Sequence, residues 1–183
     1  MNNELTNLTV VILTHKTNKN TLENCLSSID PKVKIILIEN SKIFLQKDLI
    51  ENKYKNVSIF CSGSNLGYGA GNNFGLNVTK TPYALILNPD TVCKNNFFEN
   101  IKEYLNDRID YTIIGCQYEN DPNWQPAGYF NKKTNLNEIQ KKDKQTLIKV
   151  DWVVGCAMLV NLNKFSSKAI FDENFFLFFE EFD

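Results

Sequence analysis

This 183-residue sequence predicts an α/β fold with a mostly parallel central sheet flanked by helices. Strand-like and helix-like segments alternate through its first ninety residues, the arrangement that right-handed crossovers and a parallel sheet require. Its strand-like segments are apolar at consecutive positions rather than at every second one, as strands covered on both faces are. The candidate functional residues of this half also follow strands directly. They are Thr14-His15-Lys16, Glu39-Asn40-Ser41, residues 63–75 and Asn88-Pro89-Asp90. In a parallel sheet those strand ends share one edge, the usual ligand position in open α/β folds.

The elements follow in order. Leu8–Thr14 is β-branched and apolar, a doubly covered strand, and residues 20–29 place Leu22, Cys25, Leu26 and Ile29 at helical spacing. Lys34–Glu39 is the second buried strand, residues 44–54 a helix, and Val57–Cys61 the third strand. A glycine-rich stretch leads into a helix ending near Val78, and Tyr83–Leu87 is the fourth strand. After it come an amphipathic helix over 97–105, strands over 111–118 and 153–161, and a polar stretch over 131–146. The last segment, FDENFFLFFEEFD, carries Phe171, Phe175, Phe178, Phe179 and Phe182 at helical spacing with Asp172 as N-cap, so a helix is expected there. The chain reads as one domain, with a first part over 1–110 and a second over 111–183. It stops inside an apolar-patterned segment without a helix stop, and so reads as a fragment of a longer protein.

Composition excludes several classes. A net charge of −1 gives no footprint for nucleic acid, and a single arginine, Arg108, removes bidentate arginine clamps on phosphate. A metal ion is then the expected way to neutralise a substrate's phosphates. The five cysteines include no Cys-x-x-Cys pair, which argues against a structural zinc site or disulfide framework and for a reducing cytoplasm. The N-terminus lacks the basic start and apolar run of a signal peptide, and no stretch approaches the roughly 20 apolar residues of a membrane span.

Asn88-Pro89-Asp90 is the most informative tripeptide. Proline keeps Asn88 extended, so Asp90 stands rigidly where the fourth strand opens into the crevice. A hard oxygen donor there suits Mg²⁺ or Mn²⁺ held between protein and substrate phosphates. Alone, the tripeptide is also good turn chemistry. The run Asn65-Leu66-Gly67-Tyr68-Gly69-Ala70-Gly71-Asn72-Asn73-Phe74-Gly75 misses the dinucleotide fingerprint in both spacing and position. It offers either a backbone that a nucleoside or phosphate can approach at a helix N-terminus or a tight strand-to-helix connection.

Glu39 can accept ribose hydroxyls or a base N–H, and taken singly it is an ordinary solvated strand terminus. His15, the only histidine, has no carboxylate partner nearby in sequence and reads as a wall or backbone-positioning group. Glu180, Glu181 and Asp183 crowd three carboxylates among phenylalanines, a setting that raises carboxyl pKa values and suits a general base. Their plainer reading is a helix's polar face. Trp124 and Trp152 could stack on sugar rings or simply pack.

Six motifs in order, VVILTHK, LIENS, NLGYGAGNNFG, LILNPD, DWVVGCAMLV and FDENFFLFFEEFD, resemble the inverting family 2 glycosyltransferases of GT-A fold, especially their rhamnosyltransferase-like branch. The resemblance runs from Leu8 to Asp183. It implies a nucleotide-diphosphosugar donor across Thr14, His15, Glu39, Asn40, Asn65, Gly67, Gly69, Asn72 and Asn73. It also implies a metal and diphosphate site at Asn88 and Asp90 and acceptor-side positions at Trp152 and Gly155. Glu181, flanked by Glu180 and Asp183, falls where the family carries its catalytic base. Two positions depart from the usual pattern: Asn88 leaves Asp90 the only anionic metal ligand, and Glu181 replaces an aspartate. The implied reaction moves a sugar from a dTDP-rhamnose-like or UDP-sugar donor to a glycan or lipid-linked acceptor in surface polysaccharide or glycan synthesis. A non-catalytic nucleotide-sugar-binding remnant is the rival expectation. The five lysines of residues 131–146, in local excess by three charges, raise weak peripheral contact with the inner membrane face, against the plainer reading of a solvated loop.

Overall fold

The computed structural model describes residues 4–106, 108–117, 127–130 and 147–178. Its main sheet has six strands: β1 (Leu8–Thr14), β2 (Lys34–Glu39), β3 (Val57–Cys61), β4 (Tyr83–Leu87), β5 (Ile113–Gly115) and β8 (Ala157–Asn161). The order is β3-β2-β1-β4-β8-β5, with β1 to β4 parallel and β8 antiparallel to both of its neighbours. As expected, β2, β1 and β4 are adjacent and parallel. A small antiparallel pair, β6 (Ala127–Gly128) and β7 (Trp152–Val153), lies outside this sheet.

Helices cover both faces, which is why the strands read as continuous apolar runs. Alternate residues of β1 divide between two cores. Val10 and Ile12 join Leu22, Cys25 and Leu26 of α1 (Lys19–Ser27), Ile50 of α2 (Lys47–Lys53) and Phe98 and Ile101 of α4 (Phe97–Ile101). Val11 joins Leu76 of α3 (Tyr68–Val78), Ala84, Ile86, Met158 and Phe171. Each fully buried aliphatic side chain contributes about 1.5–3 kcal/mol.

The second half departs most from expectation. The strand expected over 111–118 shortens to β5, and the one over 153–161 divides into β7 and β8. The break coincides with Gly155, whose carbonyl accepts the Tyr68 hydroxyl of α3. The helix expected from Phe171 is absent from the described residues up to 178. Asp172 Oδ1 does accept Asn174 N at 2.8 Å, and Phe175 N reaches Asp172 O at 3.3 Å, so one turn forms. It does not propagate. The Ile170 and Phe171 amides donate to Asn73, Phe176 O accepts from Tyr68 N at 2.9 Å, and Phe178 has a left-handed φ of 68°.

Candidate active site

The parallel register sets Thr14, Glu39 and Cys61 in one row at the C-terminal ends of β1, β2 and β3. Thr14 is buried, and its hydroxyl donates to Thr17 Oγ1 at 2.6 Å. His15 is exposed and its Nδ1 lies 2.8 Å from Asn40 O. A carbonyl only accepts, so the proton sits on Nδ1 and the ring fixes the β2 end. Lys16 takes a left-handed φ of 55°, which turns its N–H toward Glu39 Oε1 at 3.4 Å. A non-glycine residue held this way marks a constrained site.

Glu39 is 1% exposed, and its Oε2 is buried with no partner among the described residues. The solvated-terminus reading is therefore wrong. A buried carboxylate oxygen left without a donor is costly in an isolated protein, and it is a ready acceptor for hydroxyl or N–H groups of a ligand. Asn40 is different, because its amide is fully engaged within the chain. Nδ2 donates to Asn65 Oδ1 at 2.8 Å and to Gly67 O at 3.0 Å, while Oδ1 accepts from Leu66 N at 2.9 Å and Ser62 Oγ at 3.2 Å.

The glycine-rich run is largely a packing device. Gly67 (φ 84°) has no room for a side chain, since a Cβ would lie 2.1 Å from Phe176 O. A Cβ on Gly69 would press on Phe171 at 3.0 Å. The space next to both glycines is filled by the 171–176 segment. Asn73, also 1% exposed, directs its whole amide at residues 170–173. Asn72 is fully buried; its Nδ2 donates to Tyr68 O at 3.1 Å and its Oδ1 is without a partner among the described residues.

At the end of β4 the backbone of Asn88 is held on both sides. Its N donates to Cys156 O at 2.9 Å, and its O accepts from Thr91 N at 3.1 Å and from the Cys25 thiol at 3.6 Å. Asp90 is exposed just beyond. The Cys25 thiol is pushed up to about 12, first by burial, then by Cys93, and further by the charge of Asp90. Burial likewise pushes Cys93 up to about 11 and Cys116 up to about 12. These thiols stay protonated at neutral pH and offer no nucleophile. None of the five cysteines, all of which are described, forms a disulfide. Among the described residues no group of three His, Cys, Asp or Glu could hold a metal. One exposed carboxylate just beyond a strand end does fit a cation whose remaining ligands are water and substrate phosphate, the habit of Mg²⁺.

The sequence matches glycosyl transferase family 2 over residues 9–165. The chain belongs to that family. A relative, the low-salt glycan biosynthesis hexosyltransferase Agl10 of Haloferax volcanii, is 23% identical over 189 residues, covering 97% of this chain and 60% of that protein. The chain thus spans about 60% of that curated relative's length. Structural likeness extends to GalNAc-T7 crystallised with UDP, GalNAc and Mn²⁺, at 17% identity and TM-score 0.66 over 96% of this chain and 38% of that one. It extends also to the Pyrobaculum calidifontis mannosyltransferase PcManGT in complex with GDP-Man and Mn²⁺, at 10% identity and TM-score 0.60, covering 92% and 48%. S. aureus TarS 1-349 gives 14% identity and TM-score 0.62, covering 91% and 50%. At these identities the likeness concerns the fold, which is GT-A.

Within this family 2 chain, Gly155 is buried against Tyr68, and half-buried Trp152 pairs with Gly128. Glu180, Glu181, Asp183, Trp124 and the lysine-rich residues 131–146 lie outside the described residues. Among the described residues no helix is long and apolar enough to cross a membrane. Sequence reasoning placed Asn40 and Asn73 at the donor and missed that both amides are fully engaged within the chain. The available signal was the pair Asn72-Asn73 in the middle of a helix, where a buried asparagine needs partners outside that helix.

Proposed function

We propose that this chain carries the donor-binding part of an inverting glycosyltransferase that moves a hexose from a nucleotide-diphosphosugar to an acceptor hydroxyl. The single observation that carries the reading is the buried, unpartnered Glu39 oxygen at the sheet edge where Asp90 is also presented. Family membership and the GT-A fold support it. Glu39 accepts hydroxyl or N–H groups of the nucleoside, with Thr14, His15, Asn65 and Gly67 forming the wall around it. Asn88 and Asp90 hold the diphosphate side, Asp90 as the ligand of Mg²⁺ or Mn²⁺. When bound, that ion neutralises the diphosphate and stabilises it as a leaving group. Glu181 removes the acceptor hydroxyl's proton, with Glu180 and Asp183 setting its local charge. Trp152 and Gly155 belong to the acceptor side.

The donor is a dTDP-rhamnose-like or UDP-sugar. The acceptor is a glycan or lipid-linked glycan in polysaccharide synthesis, reached in the cytoplasm at the inner membrane face. The test is calorimetric titration of UDP, GDP and dTDP with and without Mn²⁺. It is joined to release of nucleoside diphosphate from UDP-glucose, UDP-GlcNAc, GDP-mannose and dTDP-rhamnose. Asp90→Asn should abolish the Mn²⁺-dependent part of binding and leave folding intact, because Asp90 is exposed. Glu181→Gln should keep binding and lower release about 10²–10⁴-fold. Absence of Mn²⁺-dependent binding to all three nucleotides overturns the proposal.

A further inference from the structure

We propose that Asn73 is a positioning residue for the reaction, clasping the segment that leads to Glu180 and Glu181 onto the head of α3. The inference rests on the reading of Glu181 as the base. Asn73 Oδ1 accepts from Ile170 N at 3.0 Å and Phe171 N at 3.1 Å, and its Nδ2 donates to Phe171 O at 2.9 Å and Glu173 Oε1 at 3.1 Å. Two acceptor sites and two donors are all an amide has, and none of Asn73's is left for a ligand. A primary amide can serve both the N–H and the C=O of one extended residue, as a neighbouring strand would. Asn73 does this for Phe171.

The clasp fixes the backbone of Phe171 through both its N–H and its C=O. It is needed because apolar packing does not continue down the segment. Phe171 is buried and meets the Tyr68 ring edge-on at 5.8 Å, but Phe176, Leu177 and Phe178 are 57%, 52% and 67% exposed. Beyond Phe171, the segment is tied by Tyr68 N donating to Phe176 O at 2.9 Å, against Gly67. Gly67 is in turn the residue whose carbonyl Asn40 holds. A continuous set of contacts therefore runs from the β2 end beside Glu39, through 67–68, to Phe176. Glu181 follows Phe178 by three residues in sequence, so the clasp holds the chain that leads to it. Loosening the clasp misplaces the base relative to the donor, while the donor's own contacts stay in place.

The experiment compares wild type, Asn73→Asp and Asn73→Ser. The aspartate keeps the acceptor but faces Phe171 O and Glu173 with a negative oxygen; the serine is a milder truncation for use if the aspartate does not fold. UDP, GDP and dTDP affinity with Mn²⁺, kcat for nucleoside diphosphate release from the four donors, and amide hydrogen exchange at Ile170 and Phe171 are measured together. The expected result is affinity within twofold of wild type, kcat lowered about 10–100-fold, and faster exchange at both amides. Unchanged kcat with faster exchange overturns the proposal, as does affinity falling in step with kcat. Glu181→Gln, run alongside, separates the two readings: full activity there removes the base assignment, whereas loss there with an unaffected Asn73→Asp removes only the clasp.

Discussion

Asn40 Nδ2 and Gly67 O are joined at 3.0 Å, and this bond ties the end of β2 to the head of α3. With Asn65, Leu66 and Ser62 as its other partners, the Asn40 amide has its full complement, and the residue is only 3% exposed. The loop of residues 62–67 therefore has its shape imposed from β2. Asn40→Ala would strand the Leu66 N–H and the Gly67 carbonyl in a poorly solvated place. Each stranded group costs about 1–3 kcal/mol, so urea unfolding should show a loss of about 2–4 kcal/mol. A loss below 1 kcal/mol would mean that water replaces the side chain and the loop shapes itself.

Glu39 presents the opposite case, a group whose burial opposes stability. Glu39→Gln keeps the oxygen facing the Lys16 amide and exchanges the unpartnered one for a neutral NH₂, which is cheaper to bury than charge. The free protein should gain about 1 kcal/mol or more in urea unfolding. Affinity for UDP, GDP or dTDP should drop about tenfold or more. If both quantities fall, Glu39 is a structural group and not a ligand acceptor.

The sequence revealed what is periodic. The strands β1 to β4 were legible because both faces are covered and because crossovers of that length permit only parallel order. Their shared edge, and hence Glu39 and Asn88-Pro89-Asp90, followed from topology alone. What stayed hidden was set by contacts between distant residues. The phenylalanine spacing over 171–178 is helical, yet the Tyr68 N–H, about a hundred residues away, takes the Phe176 carbonyl, and Phe178 adopts a left-handed φ, so the turn begun at Asp172 does not propagate. Likewise Tyr68, 87 residues from Gly155, holds its carbonyl where the expected strand breaks. Glu39 looked solvated at the end of its strand, and only the fold could show its burial.

Alkaline pH should destabilise the fold through the thiols of Cys25, Cys93 and Cys116. Cys25 and Cys116 are pushed up to about 12 and Cys93 to about 11 from an ordinary value of 9.0. Their folded values exceed the unfolded ones, so between about pH 9 and 12 the unfolded chain has released protons that the folded chain still holds. Stability falls as pH rises wherever the unfolded state binds fewer protons. Their contribution is fully present below pH 9 and is lost through the 11–12 range. Melting temperature measured from pH 8 to 11.5 should decline, and Cys93→Ala should flatten that decline whatever it does to the temperature at pH 8. An identical slope in the variant would assign the alkaline loss to other groups.

Gly75 and Gly71 separate the packing role of α3 from a ligand role for its glycines. A Cβ at Gly75 would lie 2.4 Å from Val11 Cγ1 and 3.2 Å from Ile38 Cγ1, both on buried, β-branched strand residues with little freedom to move. At Gly71 the contact is 2.6 Å to Leu13 Cδ1, the far end of a longer side chain that is only partly buried. Alanine returns up to about 1 kcal/mol of helix propensity at either position. Overpacking costs about 1–3 kcal/mol where neighbours cannot yield. Gly75→Ala should therefore be destabilising by about 1–2 kcal/mol, whereas Gly71→Ala should lie near zero because Leu13 can turn aside. Pairing Gly75→Ala with Val11→Ala should recover the steric part of the loss, a coupling that a double-mutant cycle in urea measures directly. Nucleotide affinity should be unchanged in both single variants. A Gly71→Ala protein of normal stability that no longer binds UDP, GDP or dTDP would show instead that the donor approaches the helix backbone at that point.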